Sequence, residues 1–579
     1  MNNNESKEFH LKGGSIILNY IKSFSVTEKT VFVLLVIIAT ITSILMLIKV
    51  SEHFMVLIPK SGGELREGII GLPHMINPVL AITDVDRDIT SLVYSGLMKY
   101  DGENLTTDLA ESFKVSDDGL TYTFTLRPNI YFHDGSQLTT DDIYFTIQKV
   151  QDATLKSPRR PDWNNVSVNI LSPREIQFTL KQPYSPFLTN TTLGILPKHI
   201  WNNIIDDQFV FSKYNIEPIG SGPYKLKSLT KDDSGIPQEY KLAASNNYYN
   251  SKAYLNYITF IFFPDTEKAL SALEKGYIQS IASISSKQAQ TISKENYNII
   301  TTPLPRIFGA FFNQNNNPIL ADRTVRQALD LAIDRQAIIN SALDGYGSPI
   351  YGPLPYGLSV STSSKQTTNL DLARSILEKT GWVKNPNTGI YEKKGPKNTI
   401  QILSFDLVTA DTTDLKLTAQ IMKDAWTNLG AKIEVKIFDT GELYQNIIRP
   451  RKYDILLFGQ LIGKDRDLYA FWHSSQRSSP GLNVSMYTNS KADDILESIR
   501  TSGDKKTNQD KYNNLEQIIK NDIPAVFLYS PSFIYVLPKD IKNNLQGNMN
   551  ITNPSDRWNS VTNWYINTEK VWPYFAPKK

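Results

Sequence analysis

Hydrophobic and polar residues follow three different rhythms along this chain. Residues 31–48 (VFVLLVIIATITSILMLI) run without a charge between Lys29 and Lys49, and Thr40, Thr42 and Ser43 are the only polar members. At the helical rise such a run is about 27 Å long, enough to cross the hydrocarbon layer of a bilayer. It is apolar all round, so it lacks the one-sided stripe of a helix packed on a soluble core. A cleavable signal sequence has a shorter apolar core, a brief basic region before it and a small-x-small site after it. Here residues 1–30 precede the run and no such site follows. The pattern predicts an uncleaved membrane anchor at 31–50 behind a cytoplasmic leader at 1–30, with the much longer remainder on the extracytoplasmic side. Within the leader, Ile16, Ile17, Tyr20, Ile21 and Phe24 stand at helical spacing, as in an interfacial helix or a frayed tail.

Beyond the anchor, periods of about 3.6 and of two alternate. Pro, Ser and Gly at 59–63 read as the end of a linker spanning 51–61. Thr83, Asp84 and Asp86 then precede a helix over 88–99, with Ile89, Leu92, Val93 and Leu97 on one face. Alternation predicts a strand at 120–126 (LTYTFTL), followed by a helix over 139–150. A long helix is expected over 322–342, its core face carrying Val325, Leu329, Ala332, Ile333 and Ile338. Farther on come a strand at 399–404, a helix at 413–429, a strand at 432–437, a short helix at 441–448 and a buried strand at 453–459. That β-α-β-α-β order predicts an α/β layer with parallel pairing and a crevice at the strand ends.

Composition narrows the function. The chain carries 61 Lys plus Arg against 58 Asp plus Glu. Five Lys and three Glu of these stand in the first fifty residues, so the body is near neutral and lacks the concentrated basic face of a nucleic-acid binder. With no Cys, disulfides, thiolate metal sites, cysteine nucleophiles and sulfur-linked lipids are excluded. The six His, at 10, 53, 74, 133, 199 and 473, never recur at the spacing that sets two ligands on one helix face. GxSxG, GxxxxGK[ST] and GxGxxG are all missing, so no catalytic residue, metal or cofactor is predicted. The Gly-rich turn at 220–223 (GSGP) reads as structural, because its Pro removes an amide that a phosphate cradle would use. Asp84, Asp86 and Asp88 suit a helix start, with a cationic ligand as the alternative. Asp465 and Asp467, then Phe471, Trp472 and His473, stand just past a buried strand, where α/β folds place ligand contacts.

Several strings then add up in order: INPVL at 76–80, LVYSGLMKY at 92–100, LAESF at 109–113, LTYTFTLRPN at 120–129 and FHDG at 132–135. PIGSGPYKL at 218–226, NNYY at 246–249, VRQALDLAIDRQAI at 325–338 and YDILLFG at 453–459 follow. From about residue 62 to the end the chain resembles the family 5 extracytoplasmic solute-binding proteins, the peptide and oligopeptide binders of ABC transporters. The resemblance implies an α/β fold, a two-lobed clamp of the periplasmic-binding-protein type with an additional inserted domain, here behind one transmembrane helix. Lobe I would take residues 62–96, 196–282 and 531–579, the inserted domain 97–195 and lobe II 283–530.

In such proteins an extended peptide lies between the lobes and pairs by its backbone with both; the matching positions here are 82–84 and 458–461. The cleft lining implied is Ile82, Thr83, Asp84 and Asp86 from one lobe, with Phe458, Gly459, Gln460, Leu461, Ile462, Asp465 and Trp472 from the other. Two departures stand out. The family's peptide binders place an Asp for the peptide's ammonium group three residues before a D-P or E-P pair, where this sequence has Ile462 before Asp465-Arg466. An apolar residue cannot hold an ammonium group, which leaves Asp84, Asp86 or Asp465 as substitutes. The lipid-bearing Cys is also missing, and the transmembrane helix would replace it as tether.

The function implied is a monomeric, membrane-tethered receptor outside the cell that hands peptides to ABC permease subunits and their cytoplasmic ATPases. The alternatives are a surface sensor or adhesion receptor built on the same clamp, and a binder of a non-peptide solute.

Overall fold

The computed structural model describes residues 23–576 except 103, 251, 355–367, 396–398, 464–466, 502–504 and 543–550; most of the leader, with its helical spacing, and Asp465 lie outside the described residues. Two compact units are present, one made of residues up to 60 with 567–579, the other of 61–566.

In the first unit a helix spans Val26–Phe54, longer at both ends than the apolar run. Its start is set by a reciprocal pair: Glu28 Oε2 accepts from Ser25 N and Ser25 Oγ, both at 2.8 Å, and Ser25 Oγ accepts from Glu28 N at 3.3 Å. Within the run, the Thr40 and Thr42 hydroxyls donate to the carbonyls of Val36 and Ile38 at 2.7 Å, which satisfies them without water. The segment read as linker is instead a strand, Val56–Lys60, paired antiparallel with Asn567–Val571. Pro59 is tolerated because both strands of a two-stranded ribbon are edges. The last strand, Asn567–Val571, thus belongs to this ribbon, not to the body.

The body is organised by one strand, Ala525–Pro538, that runs through two cores. Residues 525–529 pair with Arg306–Phe312, and residues 532–538 pair with Tyr297–Pro303. On the first side the sheet continues through Ile455–Leu461, Ser404–Ala410 and Lys432–Phe438, the last three parallel to one another as the β-α-β-α-β order predicts. Its core holds Phe311, Trp426 and Trp472. On the second side Glu64–Ile70 is parallel to Ser280–Ala282 and Tyr257–Phe263, and the core holds Phe260, Trp558 and Trp564. A separate four-stranded antiparallel sheet, Ala110–Val115, Thr121–Leu126, Glu175–Leu180 and Val166–Ser172, lies within residues 97–195.

Helix ends differ from the sequence reading where side chains cap the backbone. The helix expected over 88–99 is Asp84–Val93, because Thr83 Oγ1 accepts from Asp86 N at 3.1 Å and moves the start forward. It stops where the GSGP turn packs on its C-terminus: Gly222 N donates to Val93 O at 2.8 Å, and a Cβ on Gly220 would lie 2.1 Å from that oxygen. Residues 98–101 are a strand, Met98–Asp101. The helix expected over 322–342 is two, Arg323–Leu331 and Arg335–Ala342, since Asp334 accepts from Ala337 N at 3.0 Å and starts the second. The strand at 399–404 divides into Ile400–Ile402 and Ser404–Ala410, and the short helix at 441–448 is Thr440–Glu442 running into a π-helix, Leu443–Ile448.

Candidate ligand cleft

The strand Ile455–Leu461 carries the geometry that matters most. Along one edge it pairs with Arg306–Phe312 over its whole length. Along the other, Ser404–Ala410 meets it only at Ile455 and Leu456. Beyond Leu456 that edge has no partner strand among the described residues. At Gly459 a Cβ would stand 2.7 Å from the Phe308 ring, itself stacked on Tyr529 at 5.1 Å. Only glycine lets the chain lie that close to the ring.

Three cavities lie around this strand end, two of them lined by its own residues. One of about 420 Å³ is lined by Tyr94, Lys99, Asp162, Asn190 and Leu461 among others. A second, about 1150 Å³, shares Asp162 and Asn190 with it and adds Tyr184, Tyr469, Leu482 and Arg500. A third, about 240 Å³ and largely apolar, is lined by Phe458, Gly459, Gln460, Leu461, Phe471 and Leu482. Leu461 therefore lines the first and third, and Leu482 the second and third. Together they make a groove between residues of the four-stranded-sheet region and those around the strand end.

The groove's charges are mostly engaged. Asp108 faces Lys99 at 3.5 Å and accepts from the Tyr249 hydroxyl; Asp162 pairs with Arg159 at 3.3 Å. Asp556 accepts from Thr552 N and Asn553 N at 2.8 Å. Arg500 holds Asp467 at 2.9 Å, lies 4.1 Å from the Tyr469 ring centroid, and its carbonyl accepts from Ser185 N at 2.9 Å, closing one wall. Four buried polar side chains lining the groove have atoms with no hydrogen-bond partner among the described residues: the Tyr94 hydroxyl, whose pKa burial pushes well above the usual phenol range, the Thr552 hydroxyl, the Trp558 indole N–H, and both carboxamide atoms of Gln460. Such groups are costly unless something bonds them. Among the described residues no cluster of three or more acidic or His side chains stands ready for a metal.

Of the residues expected from sequence, Phe458, Gly459, Gln460 and Leu461 come together around the third cavity. Ile462 is fully buried beside them, its N–H donating to Pro305 O at 2.8 Å. Trp472 is core, in ring contact with Phe311, Tyr487 and Phe527. Ile82, Thr83, Asp84 and Asp86 line none of the three cavities. Asp86 is buried, accepting from His74 N, Met75 N and the Thr83 hydroxyl at 2.7–2.8 Å, while exposed Asp84 pairs with Arg87 at 3.1 Å. Sequence reasoning did not single out Tyr94, Asp162, Tyr184, Asn190, Leu482 or Arg500. The abundance of Tyr, 29 in all, is a signal for Tyr94 and Tyr184 alone, and no motif or spacing marks the other four.

A clamp of two α/β cores joined by a shared strand, with a groove beside it, defines a solute-binding protein. Residues 104–480 match the model of the bacterial extracellular solute-binding proteins, family 5, and the chain belongs to that family. The oligopeptide-binding protein AppA of Bacillus subtilis is 30% identical over 498 residues, 84% of this chain and 89% of that protein. Its structure with a nonapeptide covers 88% of this chain and 100% of its own, at 28% identity and a TM-score of 0.64. CtaP of Listeria monocytogenes, an ABC transporter substrate-binding protein, shows the same coverage at 26% identity with a TM-score of 0.73. NikZ of Campylobacter jejuni, solved with Ni(L-His), is also 26% identical, with a TM-score of 0.66.

Proposed function

We propose that this chain is a membrane-tethered receptor that captures peptides outside the cytoplasmic membrane and delivers them to an ABC permease. The observation that carries the reading is the open edge at 458–461, which lines two of the three cavities. Main-chain pairing to that edge gives affinity with little side-chain preference, and the cavities accommodate varied side chains. The likeness to AppA, solved with a nonapeptide, supports an extended ligand. In this reading Tyr94 and Gln460 bond the ligand, Leu461 packs against it, and residues 97–195 form the inserted domain that faces the second lobe. Buried Ile462 offers nothing to an ammonium group, and Asp162, lining both larger cavities, is the acid placed to meet one. The helix Val26–Phe54 serves as tether, raising the receptor's local concentration at a permease.

A second reading, a non-peptide solute, is favoured by Ile462 itself. Native mass spectrometry of the protein, purified without unfolding, separates the two. Released short peptides of mixed sequence, and a thermal shift with a synthetic peptide, are expected. A single non-peptide solute, or no shift across peptide libraries, overturns peptide capture.

A further inference from the structure

The first unit carries a group of exposed aromatic residues that ligand capture does not use. In the ribbon Val571 stands opposite Val56, and only Met55 separates Val56 from the end of the long helix at Phe54. The residues after Val571 therefore leave the ribbon at its helix-proximal end. They are Trp572, Pro573, Tyr574 and Phe575, and the three rings are 43%, 90% and 72% exposed. Phe54, at the helix end, and Leu57, in the ribbon, are exposed as well. Exposed aromatic and aliphatic side chains of this kind are unfavourable in water, and Trp and Tyr favour the headgroup layer of a membrane. The dimensions agree. The apolar stretch ends at Val50, and the four residues to Phe54 rise about 6 Å, comparable to one interfacial layer.

We propose that Trp572, Tyr574 and Phe575 form a second membrane contact, seated in the lipid headgroup layer beside the helix. The proposal rests on the reading of Val26–Phe54 as a membrane span. The ribbon joins the helix to the aromatic residues within one unit, the chain leaving that unit after Lys60 and returning to it at Asn567. Its occupant is the lipid interface of the membrane the helix crosses.

Tryptophan fluorescence tests this directly. Of the eight Trp, Trp163, Trp201, Trp382, Trp426, Trp472, Trp558 and Trp564 are each at most 2% exposed, which leaves Trp572 as the one open to lipid. The full chain is reconstituted into phosphatidylcholine–phosphatidylglycerol vesicles with and without brominated acyl chains. The expected result is loss of one tryptophan's share of the emission in brominated vesicles, abolished in Trp572→Phe. Protein that floats with the vesicles and resists carbonate extraction, yet shows no quenching, or quenching that persists in Trp572→Phe, overturns the second contact and leaves the tether intact. Protein that fails to enter vesicles at all overturns the tether, and the contact with it. Emission that changes only when a permease is added assigns the patch to a protein and also overturns the proposal.

Discussion

Arg557 donates twice to Glu67, from Nε at 3.0 Å and from Nη2 at 2.6 Å, across 490 residues of chain. Its Nη1 and Nη2 also reach Asp88 at 2.7 and 2.6 Å, and the remaining oxygen of Glu67 accepts from the hydroxyls of Tyr535 and Ser280. The cluster ties the C-terminal part of the body to the strand Glu64–Ile70 and the helix Asp84–Val93. Arg557→Ala leaves two buried carboxylates without their cation. A loss of about 3–5 kcal/mol is expected, the usual cost of breaking a buried pair from one side. Urea denaturation of the variant against the parent checks it.

Asp88 sets the sign of one pH effect. Burial is the largest effect and outweighs the opposing pull of Arg557, and with a smaller push from the Glu67 carboxylate it raises the Asp88 pKa to about 6 from the ordinary 3.8. The folded state therefore holds the proton more tightly than the unfolded one. Its stabilising contribution is complete below pH 3.8 and is lost as the pH rises through about 6. Asp88→Asn should remove that decline, which is on the order of 2–3 kcal/mol. Melting temperatures across the window are the measurement.

His133 acts in the opposite direction. Its Nε2–H donates to Gly222 O at 3.0 Å and its Nδ1 accepts from Gly220 N at 3.3 Å, so the neutral ring clips the GSGP turn to the FHDG segment. Burial lowers its pKa to about 4 from 6.5. The unfolded chain takes up the proton first, so stability is complete above pH 6.5 and is lost as the pH falls toward 4. The parent protein should show a shallow dependence between pH 4 and 6 because the two slopes oppose each other. His133→Gln should expose the Asp88 slope, falling with pH, and Asp88→Asn the His133 slope, rising with pH. Parallel profiles in the two variants would refute both assignments.

Gln460 separates stability from binding. Replacing its unpartnered carboxamide with the apolar side chain of Gln460→Leu should stabilise the ligand-free protein by about 1–3 kcal/mol. If that amide bonds the ligand, affinity should fall at the same time, read by calorimetry with a bound peptide identified from the native protein. A variant with unchanged affinity would remove Gln460 from the binding residues.

Much of this protein was legible in its residues because the relevant signals are local. An apolar run long enough to span a membrane, the alternation at 120–126 and the helix at 413–429 each depend on neighbours within a few turns, and they recur as Val26–Phe54, Thr121–Leu126 and Thr413–Leu429. The family strings and the Ile462 departure were equally visible. Element ends were less so, since caps such as Thr83 and Asp334 compete with periodicity for the same positions.

What only the tertiary structure decided are the encounters between distant segments. Asp162, Asn190, Leu461, Leu482 and Arg500 meet around one groove although no spacing rule connects them. Asp86, which sequence grouped with the cleft, is taken up by the backbone of His74 and Met75. The chain's last strand turns back to Val56–Lys60, and Arg557 reaches Glu67, through contacts whose partners lie hundreds of residues away. Periodicity reports which face of an element is buried; it carries no information about which other element buries it, and that choice is made by the packing of the whole chain.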